Sequence, residues 1–513
     1  MKLQRSIGAF GLLFAGISSV IGSGWLFGPL YAAQVAGPAA VVSWILGGIL
    51  MSIIAFTFAE LGSTFPVAGG MIQYAQQSHG ALMSFLIGWM VWVSSVTVAP
   101  VETLGILQYM ANYIPSLMHT VNHAPVLTHT GTLAAAFIML IMCALNYYGA
   151  HFFSRSNSIL TIIKLIVPVA TIIILLSIHF QPSHFYQKNM GGFAPFGWHG
   201  LLAALPLGGI IYSFVGSNTI LQLAGETKNP QRNIPFALIG TMFFCTIIYA
   251  LLQLAFIGSI PTSALLKGWG QLKFVGSNGP FAGIMGALGL GWFVIIIYAD
   301  AVISPFGTGF VFTASTARVV YGLSNIGFLP RALKKLSKTR VPLRSIILNY
   351  IVGSLLFLPF PGWQTLVSFI ISCFIISYII GPISLIALRH REPHLARPFR
   401  LPFAYIITII SFYICNLLIF WTGWQTVSRM MLVLLFGLIV FLIRSLQDSK
   451  AKLKENWRSA WWIVPYFIIM TIISYLGSFG HGKNILPFGI DFIVIAIMTL
   501  FIFYAALPRK EIG

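Results

Sequence analysis

Apolar runs of roughly 17 to 25 residues, each long enough to cross the hydrocarbon core of a bilayer, follow one another along almost the whole chain. They fall near 8–33, 38–62, 82–113, 131–150, 157–180, 201–224, 235–260, 287–322, 345–362, 365–388, 401–421, 427–446, 459–478 and 488–507. The pattern predicts an all-α integral membrane protein with about fourteen transmembrane helices. Two of the runs are interrupted by glycine-rich polar breaks, Gly22-Ser23-Gly24 in the first and Ser213 to Asn218 in the sixth. Bare amides and carbonyls are not tolerated against lipid, so unwound backbone at that depth requires a cavity lined by protein. Breaks at corresponding positions of two halves of a chain mark a transport site.

Spans one to five and six to ten overlay as two halves, each opening on its broken helix. An odd number of spans per half inverts the second half relative to the first. The expected organisation is a transport core over 6–390, made of a first repeat over about 6–180 and a second over about 201–390, followed by additional transmembrane helices over 401–508. The last four spans carry few polar residues and read as scaffold or as a surface on which an oligomer is possible but not required.

Composition supports the membrane reading and redirects the charge. Only 7% of the 513 residues are charged and mean hydropathy is +0.91, against a charged fraction near one quarter in soluble domains. A net charge of +20 would suggest nucleic acid in a soluble protein. Here 23 of the 29 Lys and Arg fall in alternate loops and the two tails, among them the Arg331 to Arg344 and Arg389 to Arg400 groups; the opposite loops hold Lys188, Lys267, Lys273, Arg429 and Lys483, and Lys164 lies within a span. That asymmetry is what positive-inside topology produces. It puts both termini in the cytoplasm, predicts a multi-pass protein of a bacterial inner membrane in contact with the lipid bilayer, and removes the need for a nucleic-acid partner. The N-terminal run lacks a cleavable-signal pattern, because the first break and Pro29 interrupt it. Cys143, Cys245, Cys373 and Cys415 are scattered among the spans without metal or disulfide spacing, so neither a metal nor a cofactor is expected.

Several loop motifs accompany the breaks. Pro66-Val-Ala-Gly-Gly70 follows the second span as a tight turn, Gly225-Glu-Thr-Lys-Asn-Pro-Gln-Arg-Asn-Ile-Pro235 follows the sixth, and Arg318, Tyr321, Gly327, Leu329 and Pro330 mark the end of the eighth. With the Gly22-Ser23-Gly24 and Ser213-Phe-Val-Gly216 breaks, these motifs stand in the order found in the amino acid, polyamine and organocation superfamily of transporters, which the chain resembles from about Ser6 to Arg400. The resemblance implies a five-plus-five inverted-repeat bundle moving amino acids by alternating access.

An amino acid brings a carboxylate and an ammonium. Amides at the start of a half-helix suit the first and carbonyls at the end of the preceding half suit the second. The resemblance therefore assigns the carboxylate to the Gly22-Ser23-Gly24 break through the Ser23 and Gly24 amides. It assigns the ammonium to the carbonyls of Val20, Tyr212 and Val215, with Gly216 and Ser217 completing the second break. Phe214 stands where relatives place an aromatic gate, and core packing is its other reading. Asn218 departs from relatives that carry an acid near this point.

Three ionisable residues lie at membrane depth, where each is costly unless paired or functional. Lys164 interrupts the fifth span; proton-coupled members of the superfamily carry a lysine there, and the flanking apolar run argues against snorkelling to an interface. Asp300, Ser304 and Thr308 follow at steps of four and share one face of the eighth span, where Asp300 either pairs with a cation such as Lys164 or caps the outer end. Glu102 in the third span reads as a proton relay or a contact for the substrate ammonium. Glu60 and Glu226, at helix ends, read as loop anchors.

These features predict a secondary active transporter of amino acids coupled to protons, with symport favoured and exchange on the same bundle open. A non-transporting amino acid sensor would need a signalling domain that the chain does not show. A membrane enzyme would need a nucleophile and base or clustered metal ligands within the spans.

Overall fold

The computed structural model describes residue 5 and residues 7–507, apart from 67–69, 122–123, 148–149, 187–190, 338–340, 361, 446–456 and 458, and describes only the backbone over 150–160. The turn predicted at Pro66 to Gly70, the loop over 447–458, and Lys2, Arg155, Lys188, Lys338, Arg340, Arg509 and Lys510 fall wholly or partly outside the described residues.

Helices build almost everything. In chain order they are α1 (Ala9–Val20), α2 (Ser23–Ala36), α3 (Ala40–Thr64), α4 (Gly70–Met110), α5 (His129–Tyr147), α6 (Ala150–Ile178), α7 (Gly197–Leu207), α8 (Tyr212–Val215), α9 (Asn218–Gln222) and α10 (Pro230–Ser259). Then come α11 (Pro280–Ala287), α12 (Gly291–Ile326), α13 (Leu343–Leu355), α14 (Trp363–Tyr378), α15 (Ile380–Arg391), α16 (Ala404–Trp421), α17 (Trp424–Ser445), α18 (Ile463–Leu476) and α19 (Ile490–Ala506). Among the described residues nine helical stretches are long and apolar enough to cross a membrane, or ten when the bent pair α7 with α8–α9 is one span. The chain is a multi-pass integral membrane protein.

Two local departures from the predicted pattern have simple causes. The turn between α4 and α5 is a small antiparallel hairpin, β1 (Met118–Val121) against β2 (Ala124–Leu127); its strands are too short for periodicity to reveal. The third span was expected to start near residue 82, yet helix begins at Gly70. Gly80, at φ 77°, breaks α4 there, so a short interfacial helix feeds the span proper.

The broken helices sit in the middle of the packing. α3 lies along α10 and α12 along α4, while α14 packs on α4 and α1 on α10. The first helix is held at its start by the loop after α9: the Ile7 amide donates to the Glu226 carbonyl at 3.0 Å and the Lys228 amide to the Ile7 carbonyl at 2.8 Å. At the same end of the bundle Glu60 accepts a bidentate pair from Arg389, at 2.9 and 2.5 Å, and a bond from the Leu401 amide at 2.7 Å. This is the loop-anchoring role expected of it. The helices after residue 401 lie against the core through α16 on α3 and α15, and the Ala506 carbonyl at the end of α19 is bonded to His79 Nε2 at 2.9 Å.

Candidate substrate site

The first break is where it was expected. α1 stops at Val20, Ile21 is extended and Gly22 adopts φ −134°, ψ −140°, and α2 restarts at Ser23. The negative end of α1 thus faces the positive end of α2 across two residues, and each end has gathered a group of opposite charge. At the α1 end, Lys164 Nζ donates to the Ser18 carbonyl at 3.1 Å and to Thr308 Oγ1 at 2.7 Å. The Val20 carbonyl accepts from the Tyr249 hydroxyl at 3.0 Å. The Ile21 carbonyl accepts from Thr308 at 3.4 Å and Ser304 at 3.5 Å, so the polar stripe of α12 does turn inward onto the break.

At the α2 end the Ser23 amide donates to Glu102 Oε2 at 2.8 Å. The other oxygen of that carboxylate, Oε1, accepts from the Tyr212 hydroxyl at 2.6 Å. A single side chain from α4, 1% exposed, is therefore held by both broken helices. The sequence offered Glu102 as a proton relay or an ammonium contact; its two partners in the structure are donors, which suit its carboxylate. A Cβ on Gly22 would reach 2.6 Å from Glu102 Oε1, so only glycine lets the backbone close onto this group.

The sixth span is interrupted twice, after Leu207, earlier than the polar run implied, and at Gly216-Ser217, inside that run. α7 ends at Leu207 and the chain bends by 49° before Tyr212, with Gly209 at φ +74° supplying a conformation that side chains disfavour. Pro206 and the paired glycines, rather than Ser213 to Asn218, set the bend. The two half-helix pairs touch closely: a Cβ on Gly24 would run into Ser213 Oγ and one on Gly216 into the Ser19 carbonyl. Val20, Gly22, Ser23, Gly24, Tyr212, Gly216, Glu102, Lys164, Ser304 and Thr308 are thereby brought around one point.

Other predicted members stand further out. The Val215 carbonyl accepts from the Tyr378 hydroxyl at 2.9 Å, so it and the Val20 carbonyl each already hold a tyrosine proton. Phe214 is buried edge-on against Trp44 and Tyr249, with centroids 6.2 and 5.6 Å away. Ser217 and Asn218 line a small cavity with Phe58 and Tyr378, and neither side-chain polar atom of Asn218 has a hydrogen-bond partner among the described residues. Asp300 is buried, with the Trp25 indole beside its carboxylate and Lys164 in electrostatic reach. Lys164 is within electrostatic reach of both Glu102 and Asp300, but the ion pairs found among the described residues are those of Arg389 and Arg397 with Glu60.

Sequence reasoning missed the aromatic cover. The Trp363 indole donates to Ser23 Oγ at 2.9 Å, and its ring stacks on Tyr31 at 5.4 Å and meets Phe27 at 5.2 Å and Tyr212 at 6.1 Å. Nothing in the spacing of α14 singles this residue out. Tyr249 and Gln253 were findable: four apart on an otherwise apolar helix, they form a polar stripe like that of α12. Gln253 accepts from Trp44 at 2.8 Å and donates to the Pro29 carbonyl at 3.1 Å.

The chain matches a family model described as amino acid permease over residues 7–443. It is 39% identical to the glutamate/serine transporter AimA of Bacillus subtilis (strain 168), with 98% of this chain and 93% of the relative covered. It is 38% identical to the aspartate-proton symporter of the same organism over 100% of this chain and 98% of the relative. The branched-chain amino acid permease BcaP is 27% identical, covering 88% and 95%. A match spanning both broken helices, Glu102, Lys164 and the stripe of α12 settles the kinship: the chain belongs to the amino acid permease family of the amino acid, polyamine and organocation superfamily, and it is not an enzyme.

Proposed function

We propose that the chain is a proton-coupled secondary transporter that carries a small polar or acidic amino acid by alternating access, as a symporter. The observation that carries this reading is the meeting of the two broken helices around oppositely charged groups, Lys164 on the carbonyl end of α1 and Glu102 on the amide end of α2. A zwitterion needs one partner of each kind, and the break offers both. The names of the two similar Bacillus relatives support glutamate, serine or aspartate as the substrate and a proton as the coupling ion. The proposed frame is the five-plus-five inverted repeat over 6–390 with the remaining helices outside it, about fourteen spans in all. It sits in a bacterial inner membrane with both termini cytoplasmic.

In this scheme Ser23 and Gly24 receive the substrate carboxylate, and carbonyls at the ends of α1 and α8 receive its ammonium. Lys164, Glu102 and Asp300 carry the coupling charge, with Ser304 and Thr308 holding Lys164 and the break in register. Radiolabelled glutamate, serine and aspartate are offered to proteoliposomes with an acid-outside gradient, with no gradient, and with internal unlabelled amino acid. Symport requires accumulation driven by the gradient and abolished by a protonophore. Uptake that depends only on internal amino acid would replace symport with exchange, and binding without either would leave a sensor.

A further inference from the structure

Glu102 sits where the substrate is expected to put its own carboxylate. The Ser23 amide is the first free donor of the α2 half-helix, and Glu102 Oε2 takes it at 2.8 Å. Tyr212, the first residue after the second break, gives its hydroxyl to Oε1 at 2.6 Å. The acid comes from a third, unbroken stretch of helix and is deeply buried. It therefore cross-links the two moving half-helices without belonging to either. Among the described residues no arginine is paired with it. The charged and titratable groups facing it are Lys164 from α6, Tyr212 from α8 and Tyr249 from α10, with Asp300 acting in turn on Lys164.

We propose that Glu102 is a built-in surrogate for the substrate carboxylate, which fills the anion subsite of the empty carrier and yields it only when it takes up a proton. Two carboxylates cannot share one amide end while both are ionised. Glu102 takes up one proton as the substrate carboxylate arrives, the Ser23 amide and Tyr212 hydroxyl pass to the substrate, and one carboxylate charge still faces them, the substrate's in place of that of Glu102. Proton and substrate are then coupled by competition for one set of donors.

The proposal deepens the transport reading in its substrate half, while its occupancy half can be tested without any amino acid. In the purified full chain, Glu102→Ala opens a carboxylate-sized space beside a free amide. Sodium formate is expected to raise the thermal unfolding midpoint of Glu102→Ala in a saturable, millimolar fashion and to leave the wild type unmoved. Neutral formamide is expected to have no such effect on either. No formate effect, or an equal effect of formamide, overturns the surrogate role.

The coupling half is read with labelled serine, whose side chain does not titrate. Wild-type affinity should weaken by about tenfold per pH unit as the site loses its proton, and Glu102→Gln, which keeps shape and folding, should bind with a flat pH profile. A wild-type slope retained in Glu102→Gln overturns the coupling. If the wild type binds no amino acid at all, the transport reading fails and the formate result still decides whether Glu102 occupies an anion site.

Discussion

Two glutamates of this protein are equally buried, each 1% exposed, and their surroundings could hardly differ more. Glu60 is met by two guanidinium groups and a backbone amide: Arg389 at 2.5 Å, Arg397 at 3.4 Å and Leu401 N at 2.7 Å. Glu102 is met by one amide and one phenol, with a lysine in electrostatic reach and committed elsewhere. Arginine never gives up its charge, so removing the charge of Glu60 would strand two buried or half-buried cations. Protonating Glu102 strands no bonded cation, because its hydrogen-bond partners, the Ser23 amide and the Tyr212 hydroxyl, are neutral. Glu60 is thus a joint, tying the end of α3 to α15 and the loop after it. Glu102 is a part that can let go.

The largest expected effect comes from attacking the joint. Arg389→Ala leaves a buried carboxylate with only Arg397 as a cation, and breaking such a pair costs about 3–5 kcal/mol, with the surviving arginine pulling the loss toward the lower figure. The measurement is the unfolding midpoint in detergent, which should fall by several degrees without any change in the pH profile of whatever transport survives. A stable variant with a shifted profile would erase the distinction between the two glutamates.

The next effect belongs to Lys164, which holds the α1 end of the break and bears electrostatically on Glu102. Lys164→Ala should lower transport by at least about tenfold through loss of two charge-assisted hydrogen bonds. The direction of its pH profile is more informative. Removing a positive charge near Glu102 makes the carboxylate easier to protonate, so the profile should move to higher pH. A profile that becomes flat would make Lys164 itself the proton carrier. Tyr212→Phe is milder: one donor to Glu102 is lost, worth about 1–3 kcal/mol to a charged acceptor, and the profile should again move to higher pH while Ser23 still holds the group. A move to lower pH would show that the phenol supports the neutral form instead.

Much of this was legible in the sequence because the membrane makes certain residues conspicuous. A lysine, two acids and a Gly-Ser-Gly break cannot lie in hydrocarbon by accident of composition, so Lys164, Glu102, Asp300 and the α1–α2 junction stood out. The helical periodicity of Ser304 and Thr308 told which face of α12 turns inward, and the structure puts both on the Ile21 carbonyl. What did not show was anything set by tertiary approach. Trp363 is one tryptophan among 13 until its indole is seen on Ser23. The polar run of the sixth span does hold an interruption, at Gly216-Ser217, but the 49° bend comes earlier, at Gly208 and Gly209, whose backbone freedom leaves no hydropathic mark. The partners of Glu102 did not show for a related reason: sequence gives the depth of an acid but not whether donors or acceptors face it.

Asp300 is the remaining buried acid and the point where the comparison is least complete, since it resembles neither glutamate. It has no guanidinium partner among the described residues; the groups that act on it are Lys164, electrostatically, and the Trp25 indole. Asp300→Asn preserves the shape and removes the charge. With no ion pair to lose and an amide oxygen still able to accept from the Trp25 indole, the variant should fold with an unchanged unfolding midpoint, and affinity should change by less than about threefold, smaller than for Tyr212→Phe, because a charge acting through space couples by a fraction of a kcal/mol to about 1 kcal/mol once solvent and protein relax. The informative quantity is the double-mutant cycle with Lys164→Ala. If Asp300 bears on the break through Lys164, the two substitutions should be non-additive, with the effect of Asp300→Asn vanishing once the lysine is gone. Additive effects would detach Asp300 from the coupling path and leave a site in which one displaceable carboxylate, Glu102, answers to the proton alone.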